Sequence, residues 1–315
     1  MSNTRKISIF GAGGTGGAIA QLLTMRQYSA VALIDIAGDL AIGKSIDIAQ
    51  SGTLYASDTN LLAGEEHELA KDSDVIIITA GIGRKPGLNR EDLLATNADV
   101  VQEISRAIKI LAPNAFVIVL TNPADILARI VLDTTQFPAH RVMAQGGILD
   151  SARLAYWIAQ LAGVSRTHVR TMVLGGHGDH MVPVRRFCSV HGVPATDLLS
   201  EDAWQTAVAH TRFGGGEILA KFKTHGAAIT PAHAVVAMVD ALSSQTPQLL
   251  PISTQSQGAY GLAKDVFIGL PTKLSIRGVE QVMELPLTET EIARLRNSAQ
   301  AMTEAYETWR QHQSE

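Results

Sequence analysis

A single histidine within a run of small residues is the first candidate for chemistry. The letters GGHGDH occupy residues 175–180, directly after an apolar stretch that predicts a β-strand. Small neighbours leave the ring of His177 accessible in such a turn, and histidine is the side chain that most readily exchanges a proton near neutral pH. A lone histidine in a turn is more often structural, so other residues have to support a catalytic interpretation.

The same turn also has a metal-binding interpretation, in which His177, Asp179 and His180 supply ligands. The turn lacks the helical register of a typical ligand pair, and the sequence offers no further clear ligand. We therefore expect no metal.

An acid and an arginine lie three residues apart on a predicted helix, at Asp150 and Arg153. One interpretation is an exposed i,i+3 pair that adds a few tenths of a kcal/mol, roughly, to helix stability. The other is functional. Asp150 would orient the histidine and favour its charged form, while the planar fork of Arg153 would bind a substrate carboxylate.

Two loops follow predicted strands and carry polar groups. Residues 81–90, GIGRKPGLNR, come after a strand at 75–80 and contain Arg84, Lys85 and Arg90 among glycines. Their place after a strand's carboxyl end suits a mobile loop over a site, although a solvated basic loop is the simpler alternative. Asn122 ends another strand, where a turn or helix cap is the alternative.

The segment GAGGTG at residues 11–16 follows a predicted strand and opens a helix, as a dinucleotide-binding loop does. Asp35 ends the next strand 19 residues after Gly16. That spacing places a carboxylate at the adenosine ribose hydroxyls. No Lys or Arg stands at positions 36–43, which favours NAD over NADP. The alternative, an ordinary tight turn, leaves Asp35 unexplained.

The pattern around these motifs predicts an α/β fold. Strand-like runs at 6–10, 30–36, 75–80, 116–121 and 141–144 alternate with amphipathic stretches, which indicates a doubly wound parallel sheet of the Rossmann type. After residue 150 the alternation stops. The pattern then predicts a helix from Asp150 to about residue 162, antiparallel strands and hairpins at 170–174, 182–190 and 258–276, and long helices at 201–223, 231–242 and 288–311. The glycines at 214–216 interrupt the first of these long helices and are expected to kink it. We therefore predict a nucleotide-binding domain at 1–147 and an α+β substrate domain at 148–315, with a shared interface.

Composition excludes several function classes. With 46% apolar and 18% charged residues, the 315-residue chain is expected to be compact rather than disordered. A net charge of −4 without a long basic run gives no reason to expect nucleic acid or a membrane surface as partner. The single cysteine, Cys188, permits no intrachain disulfide and is expected to be buried; a cytoplasmic location is consistent with that.

Taken together, these segments resemble the lactate/malate dehydrogenase family. The resemblance covers residues 5 to 185 and rests on motifs that follow the family's order: GAGGTGG, LIDI, TAGIGRKPGLNRED, TNPAD, GGILDSARL and GGHGDHMVP.

The resemblance implies a role for each matching residue. His177 would give the proton to a keto acid and take it back in the reverse direction, with Asp150 paired to it. Arg153 would bind the substrate carboxylate and Arg90 would polarise the carbonyl. Asn122 would contact both substrate and cofactor. The residues expected to hold NAD are Gly11, Gly13, Gly16, Asp35, Asn97 and Asn122.

Arg84 bears on the choice of substrate within the family. The lactate branch usually has glutamine at this loop position, whereas an arginine can pair with the second carboxylate of a dicarboxylate. We therefore expect a reversible malate/oxaloacetate activity. The resemblance also implies a homodimer or homotetramer. The alternatives are a lactate or other 2-hydroxy acid dehydrogenase and, from another class, a non-catalytic NAD-binding sensor.

Overall fold

A six-stranded parallel sheet forms the N-terminal half of the chain. A computed structural model describes residues 3–83 and 90–313, with only the backbone described at residues 3, 4, 90 and 91. The strands are β1 (Asn3–Phe10), β2 (Tyr28–Ile34), β3 (Asn60–Gly64), β4 (Val75–Ile78), β5 (Phe116–Val119) and β6 (Val142–Ala144). Their order is β3-β2-β1-β4-β5-β6 and every pair is parallel. This order confirms the predicted doubly wound Rossmann sheet.

Helices cover both faces of this sheet, as the run Val75-Ile76-Ile77-Ile78 predicts. The N-terminal helices are α1 (Gly14–Met25), α2 (Gly38–Gly52), α3 (Arg90–Leu111) and α4 (Ala124–Thr135). All four residues of β4 are fully buried. Val75 and Ile77 pack into one apolar cluster and Ile76 and Ile78 into the other, because successive side chains of a strand point to opposite faces. The sheet therefore holds the loops at its carboxyl edge on a rigid base.

The C-terminal half adds antiparallel strands and five helices within the described residues. The strands are β7 (Val169–Arg170), β8 (Val173–Gly175), β9 (Met181–Pro183), β10 (Ser189–Val190), β11 (Val193–Pro194), β12 (Gln248–Gln255), β13 (Phe267–Ser275) and β14 (Gly278–Val282). The helices are α5 (Gly147–Ala162), α6 (Ala195–Leu198), α7 (Glu201–Phe222), α8 (Ile229–Leu242) and α9 (Glu289–His312). β12, β13, β8 and β9 extend the large sheet beyond β6.

Two helices from this half complete the core of the nucleotide-binding sheet. Val235 and Val236 of α8 are fully buried in the cluster that contains Ile7 and Ile9 of β1. On the opposite face, Tyr306 of α9 packs into the cluster that contains α3 and α4. The two halves therefore share their apolar cores and do not merely touch. None of the helices in residues 3–83 and 90–313 has an apolar stretch long enough to cross a membrane.

The structure differs from the sequence prediction in several elements. Helix α5 begins at Gly147, one turn before the predicted start, so Asp150 lies inside its first turn. The glycines at 214–216 do not interrupt α7, which continues through them. Of the strands and hairpins predicted within 258–276, the structure has the single strand β13 at Phe267–Ser275, and α2, β3 and β12 were missed.

Candidate active site

The glycine loop forms a tight turn between β1 and α1. Gly11 has a φ of +106°, a conformation that L side chains rarely adopt. A Cβ on Gly16 would overlap the carbonyl oxygen of Gly11, so only glycine allows the helix to approach the strand here. A Cβ on Gly13 would meet nothing within 4 Å, which leaves the first turn of α1 open to a ligand. Open backbone N–H groups at a helix start suit a pyrophosphate.

Asp35 lies against this loop. The backbone N–H of Ala12 donates to its Oδ2 at 2.5 Å, and the N–H of Ala37 donates to its Oδ1 at 2.9 Å. These two bonds hold the carboxylate at the end of β2, beside the glycine turn. This position suits the adenosine half of a dinucleotide, because a fixed carboxylate accepts hydrogen bonds from ribose hydroxyls.

A lysine that the sequence analysis missed reaches the same loop. Lys44 lies on α2, one position beyond the stretch 36–43, which contains no Lys or Arg. Its Nζ donates to the carbonyl oxygen of Gly13 at 2.8 Å, and its side chain packs against Gly17. Within the described residues, no carboxylate forms an ion pair with this ammonium group. A positive charge therefore stands beside the glycine loop.

Asn97 and Asn122, both predicted to contact the cofactor, are linked to each other. Asn97 is fully buried; its Oδ1 accepts from the N–H of Ile82 at 2.8 Å, and its Nδ2 donates to the carbonyl oxygens of Ile82 and Asn122 at 3.1 and 2.8 Å. The oxygen and the nitrogen of the Asn97 side chain are thus both hydrogen-bonded to backbone atoms. Asn122 itself is exposed at the wall of a cavity. Asn97 thus fixes the backbone of the two loops that follow β4 and β5.

His177 and Asp150 form a close pair between two elements of the C-terminal half. His177 lies in the turn between β8 and β9, and its Nδ1 is 2.9 Å from Oδ2 of Asp150 on α5. The hydroxyl of Ser151 accepts from the N–H of Val173 at 3.0 Å, which ties α5 to β8. A Cβ on Gly147 would overlap the carbonyl oxygen of Val173, so a glycine at the helix start permits this approach.

The pair changes the proton affinity of the imidazole. Burial by itself lowers the pKa of His177, but the negative charge of Asp150 and its hydrogen bond more than compensate, so the pKa is raised above the ordinary 6.5. Asp150 is only 2% exposed, which makes its charge effective at short range. A histidine of this kind is protonated over more of the neutral range than a free one.

Arg153 lies on the same helix beside the acid. Its Nη1 is 3.8 Å from Oδ1 of Asp150, and the arginine side chain is 13% exposed. The simpler interpretation, an exposed surface pair, is therefore wrong. Nε of Arg153 is buried without a hydrogen-bond partner among the described residues. Leaving such a donor unpaired costs about 1–3 kcal/mol, so the guanidinium is poised for an anion. Gly214 and Gly215 face this side chain, since a Cβ on either would make ordinary van der Waals contact with it.

The side chains of the two remaining predicted site arginines, Arg84 and Arg90, lie outside what the structure describes. Arg84 belongs to residues 84–89, which fall outside the described residues, and Arg90 is described only as the first backbone position of α3. Their proposed contacts with substrate stay predictions. Residues 81–83, at the start of this loop, are exposed and joined to Asn97 through Ile82.

A cavity of about 690 Å³ opens beside the pair. Its walls come from α3, α4, α9 and the turn after β8, and they include Asn122, Asp125, His177 and Trp309. Asp125, to which the sequence analysis gave no role, is one of these wall residues. Among residues 3–83 and 90–313, no cluster of three or more His, Cys, Asp or Glu side chains is arranged to hold a metal ion.

Comparison with known proteins agrees with this arrangement. The family model for the lactate/malate dehydrogenase NAD binding domain matches residues 5–144, and that for the alpha/beta C-terminal domain matches residues 148–313. The chain belongs to the lactate/malate dehydrogenase family. Its N-terminal part is accordingly the NAD-binding domain of an oxidoreductase, and NAD is the cofactor.

Curated relatives of this family member are named as malate dehydrogenases. Malate dehydrogenase 1 of Anaeromyxobacter dehalogenans (strain 2CP-C) is 41% identical over 304 residues, which cover 96% of this chain and 97% of the relative. Malate dehydrogenase of Synechocystis sp. (strain ATCC 27184 / PCC 6803 / Kazusa) is 40% identical over 297 residues, covering 94% and 91%.

Solved structures of both branches superpose on this family member. Malate dehydrogenase of Cryptosporidium parvum matches with a TM-score of 0.93 at 32% identity, covering 98% of this chain and 99% of that one. Lactate dehydrogenase of the same organism, complexed with lactic acid and β-nicotinamide adenine dinucleotide, matches with a TM-score of 0.92 at 33% identity and the same coverage. The fold alone therefore does not separate the two substrates.

Proposed function

We propose that the chain catalyses the reversible, NAD-dependent interconversion of malate and oxaloacetate. The observation that carries the proposal is the 2.9 Å pair of His177 and Asp150 beside a buried arginine whose Nε–H lacks a partner in the described structure. A proton donor next to an anion-binding fork is what the reduction of a keto acid requires. A non-catalytic NAD sensor would need neither group.

The cofactor, when bound, supplies or accepts the hydride, and the chain's own residues manage the proton. Because Nδ1 of His177 faces Asp150, Nε2 remains for the substrate. Protonated His177 holds at Nε2 the proton that the keto oxygen of oxaloacetate receives, and neutral His177 accepts the hydroxyl proton of malate. Asp150 stabilises the protonated form, since its charge and hydrogen bond outweigh the effect of burial on the pKa of His177.

Arg153 would bind the carboxylate adjacent to the reacting carbon. Its positive charge lowers the pKa of His177 while it lacks an anionic partner other than Asp150. A bound carboxylate would neutralise part of that charge and so favour protonation of His177 as the keto acid arrives. Arg90 and Asn122 are proposed to contact the substrate as well, and Gly11, Gly13, Gly16, Asp35, Asn97 and Asn122 to serve the cofactor.

Arg84 supports the choice of a dicarboxylate. An arginine closed into a site with a monocarboxylate would stay unpaired, which costs roughly 3–5 kcal/mol and amounts to a few hundred-fold or more in selectivity. The names of the curated relatives point the same way. A lactate dehydrogenase remains the second candidate, because lactate enzymes superpose equally well.

A direct experiment separates these possibilities. Purified protein is mixed with NADH, and absorbance is followed after addition of oxaloacetate, pyruvate or no substrate. We expect rapid oxidation with oxaloacetate and at least a hundredfold lower kcat/KM with pyruvate. Equal or faster use of pyruvate would assign the chain to the lactate branch, and inactivity with both would favour a sensor.

Two loop variants test the role of Arg84. Arg84→Gln should shift preference toward pyruvate, because the unpaired charge disappears from the pyruvate complex and the second carboxylate of oxaloacetate loses its partner. Lys85→Gln removes a neighbouring charge of the same loop and serves as the control; it should leave the substrate ratio unchanged. If Arg84→Gln has the same ratio of kcat/KM for oxaloacetate and pyruvate as Lys85→Gln, Arg84 does not select the substrate.

The remaining features of the proposal concern organisation. We propose residues 1–147 as the NAD-binding domain and 148–315 as the substrate domain, supported by family-model matches that end at 144 and resume at 148. A homodimer or homotetramer is supported by exposed apolar side chains, including Ile42 and Ile46 on α2 and Phe213 on α7. Sedimentation equilibrium tests this. A cytoplasmic location is supported by the single, buried cysteine.

A further inference from the structure

Helix α7 continues through three consecutive glycines, at positions 214–216, where the sequence predicts a kink. Glycine loses more conformational freedom on folding than any other residue, so such a run weakens a helix. The run also lies at the candidate site, because Gly214 and Gly215 face the side chain of Arg153. A contact that spans the glycines would keep this part of the helix regular.

Two side chains of α7 make such a contact. Nδ1 of His210 lies 2.9 Å from Oε1 of Glu217, seven residues further along the helix. Residues at this spacing lie on one face but two turns apart, about 10 Å along the axis. Gly214, which lies between them, has no side chain to separate them. A carboxylate can accept a hydrogen bond from Nδ1 of a neutral or a protonated ring, so the bond does not depend on the charge of His210.

His210 is also fixed to the helix that carries Arg153. Its ring is stacked on that of Trp157 on α5, with the centroids 4.0 Å apart and the planes at 18°. Trp157 follows Arg153 by four residues, so both side chains lie on the same face of α5. Trp157 packs in turn against the apolar cluster between α5 and α7. The face of α5 that bears Arg153 therefore contacts α7 both at the glycines and at His210.

The glycine run forms a surface beside the guanidinium group of Arg153. A Cβ on Gly214 would lie 3.6 Å from Cδ of Arg153, and one on Gly215 would lie 3.6 Å from its Nη2. A planar guanidinium binds a carboxylate through two parallel hydrogen bonds, which makes its position critical. A bend of α7 at the glycines would remove the surface that limits where this group can lie.

We propose that His210 and Glu217 are positioning residues for the reaction, whose contact keeps α7 regular across the glycines and so holds Arg153 in place for the substrate carboxylate. The proposal rests on the proposed function, in which Arg153 binds that carboxylate. In the described structure neither residue lines the cavity at His177, so both act through Arg153. The effect should appear in KM and not in kcat, because the carboxylate is bound equally before and during hydride transfer.

Two other roles of the pair would have different consequences. Exposed ion pairs often contribute nothing measurable, and in that case the loss of Glu217 would change neither the dynamics of α7 nor KM. Alternatively, the pair could belong to a contact between copies of the chain, since Phe213 on the same part of α7 is exposed. The loss of Glu217 would then change the oligomeric state.

The first measurement is amide hydrogen exchange of the protein without substrate, read by mass spectrometry on peptides that cover residues 210–222. Glu217→Ala removes the acceptor, so the amides after the glycine run should exchange about fivefold faster than in the wild type. Glu217→Gln keeps an oxygen acceptor and should exchange at nearly the wild-type rate. Gln205→Ala is the control, because the bond from Gln205 to Glu201 on the same helix does not span the glycines. Unchanged exchange in Glu217→Ala would overturn the proposal.

Steady-state kinetics then test the effect on Arg153. Glu217→Ala should raise KM for oxaloacetate about fivefold, while kcat and the calorimetric Kd for NADH stay within about twofold of the wild type. Gly216→Ala in the Glu217→Ala background should restore much of the wild-type KM. Alanine stiffens the helix, and a Cβ at this position would meet nothing within 4 Å. A wild-type KM in Glu217→Ala, a loss of kcat at constant KM, or failure of Gly216→Ala to restore KM would contradict the role.

Sedimentation equilibrium of the same variants completes the test. A raised KM together with a changed oligomeric state would assign the pair to a contact between copies and overturn the proposal. Hydrogen exchange needs no substrate, so inactivity of the wild type toward oxaloacetate would overturn the proposed function, whereas the exchange of Glu217→Ala decides whether the pair holds α7. If Glu217→Ala does not fold, His210→Phe takes its place, because it keeps a ring on Trp157 and removes Nδ1.

Discussion

Replacing Asp150 with asparagine should displace the pH dependence of oxaloacetate reduction. The wild-type Asp150 holds Nδ1 of His177 at 2.9 Å and is almost completely buried. Hydrogen bonds to charged groups contribute about 1.5–3 kcal/mol. At 1.36 kcal/mol per unit, loss of the charge in Asp150→Asn corresponds to a fall of about one to two units in the pKa of His177.

The sign follows from the state of histidine that reacts. Reduction needs protonated His177, so kcat/KM is constant at low pH and falls as pH rises through the raised pKa of His177. In Asp150→Asn the fall should begin about one to two pH units lower. At pH values above the midpoints of both the wild type and the variant, the lower degree of protonation should therefore reduce kcat/KM of Asp150→Asn by about 10- to 100-fold. Malate oxidation, which needs neutral His177, should show its rise displaced in the same direction.

The assay is initial-rate NADH oxidation across pH at low oxaloacetate, so that kcat/KM reports the enzyme before substrate binds. Asp202→Asn, at an exposed position in the first turn of α7, controls for the loss of one negative charge. A uniform loss of rate with the wild-type midpoint would refute the reasoning, because it would mean that Asp150 orients the ring without setting its pKa.

Three further predictions concern the cofactor and the cysteine. Lys44→Met should weaken NADH binding, measured by calorimetry, about tenfold at low ionic strength and less at high salt. Lys109→Met, on the exposed end of α3, is the control and should leave the NADH affinity unchanged. Equal NADH affinities of Lys44→Met and the wild type would exclude Lys44 from the site. Asp35→Ser should raise kcat/KM with NADPH relative to NADH, and continued strict rejection of NADPH would place discrimination elsewhere. Burial raises the pKa of Cys188 to about 11. A thiol-specific disulfide reagent should therefore label the native protein very slowly at neutral pH and the denatured protein fully. Rapid labelling of the native protein would contradict the burial of Cys188.

Elements with a clear periodic pattern were predictable from the sequence, and those with a mixed pattern were not. The uninterrupted apolar run at β4 and the long amphipathic α3 are both where the pattern indicates. β12 was missed because Pro251 lies in its middle and polar residues flank it, features that normally argue against a strand. β3 is a short edge strand that ends in glycine, so it carries little signal.

The candidate site was predictable as separate motifs but not as a set of contacts. Spacing along the chain does not bring His177 to Asp150, which lies 27 residues away. The sequence therefore offered this pair only as one of two interpretations, and the family resemblance favoured it. Asp125 and Lys44 escaped notice for a common reason. Each bonds to a backbone atom, of His177 or of Gly13, and a backbone partner leaves no trace in the pattern of side chains.

The packing of α8 and α9 onto the first sheet limits how this enzyme could be divided or recombined. A fragment ending at residue 147 would lack the helices that cover β1 on one face and α3 and α4 on the other, and would present bare apolar surface to water. A chimera with another family member would have to transfer residues 229–242 and 289–312 together with the nucleotide-binding half. Cofactor preference, which we assign to Asp35, and substrate preference, which we assign to Arg84 and Arg153, therefore cannot be exchanged between family members by joining the two halves at residue 147 alone.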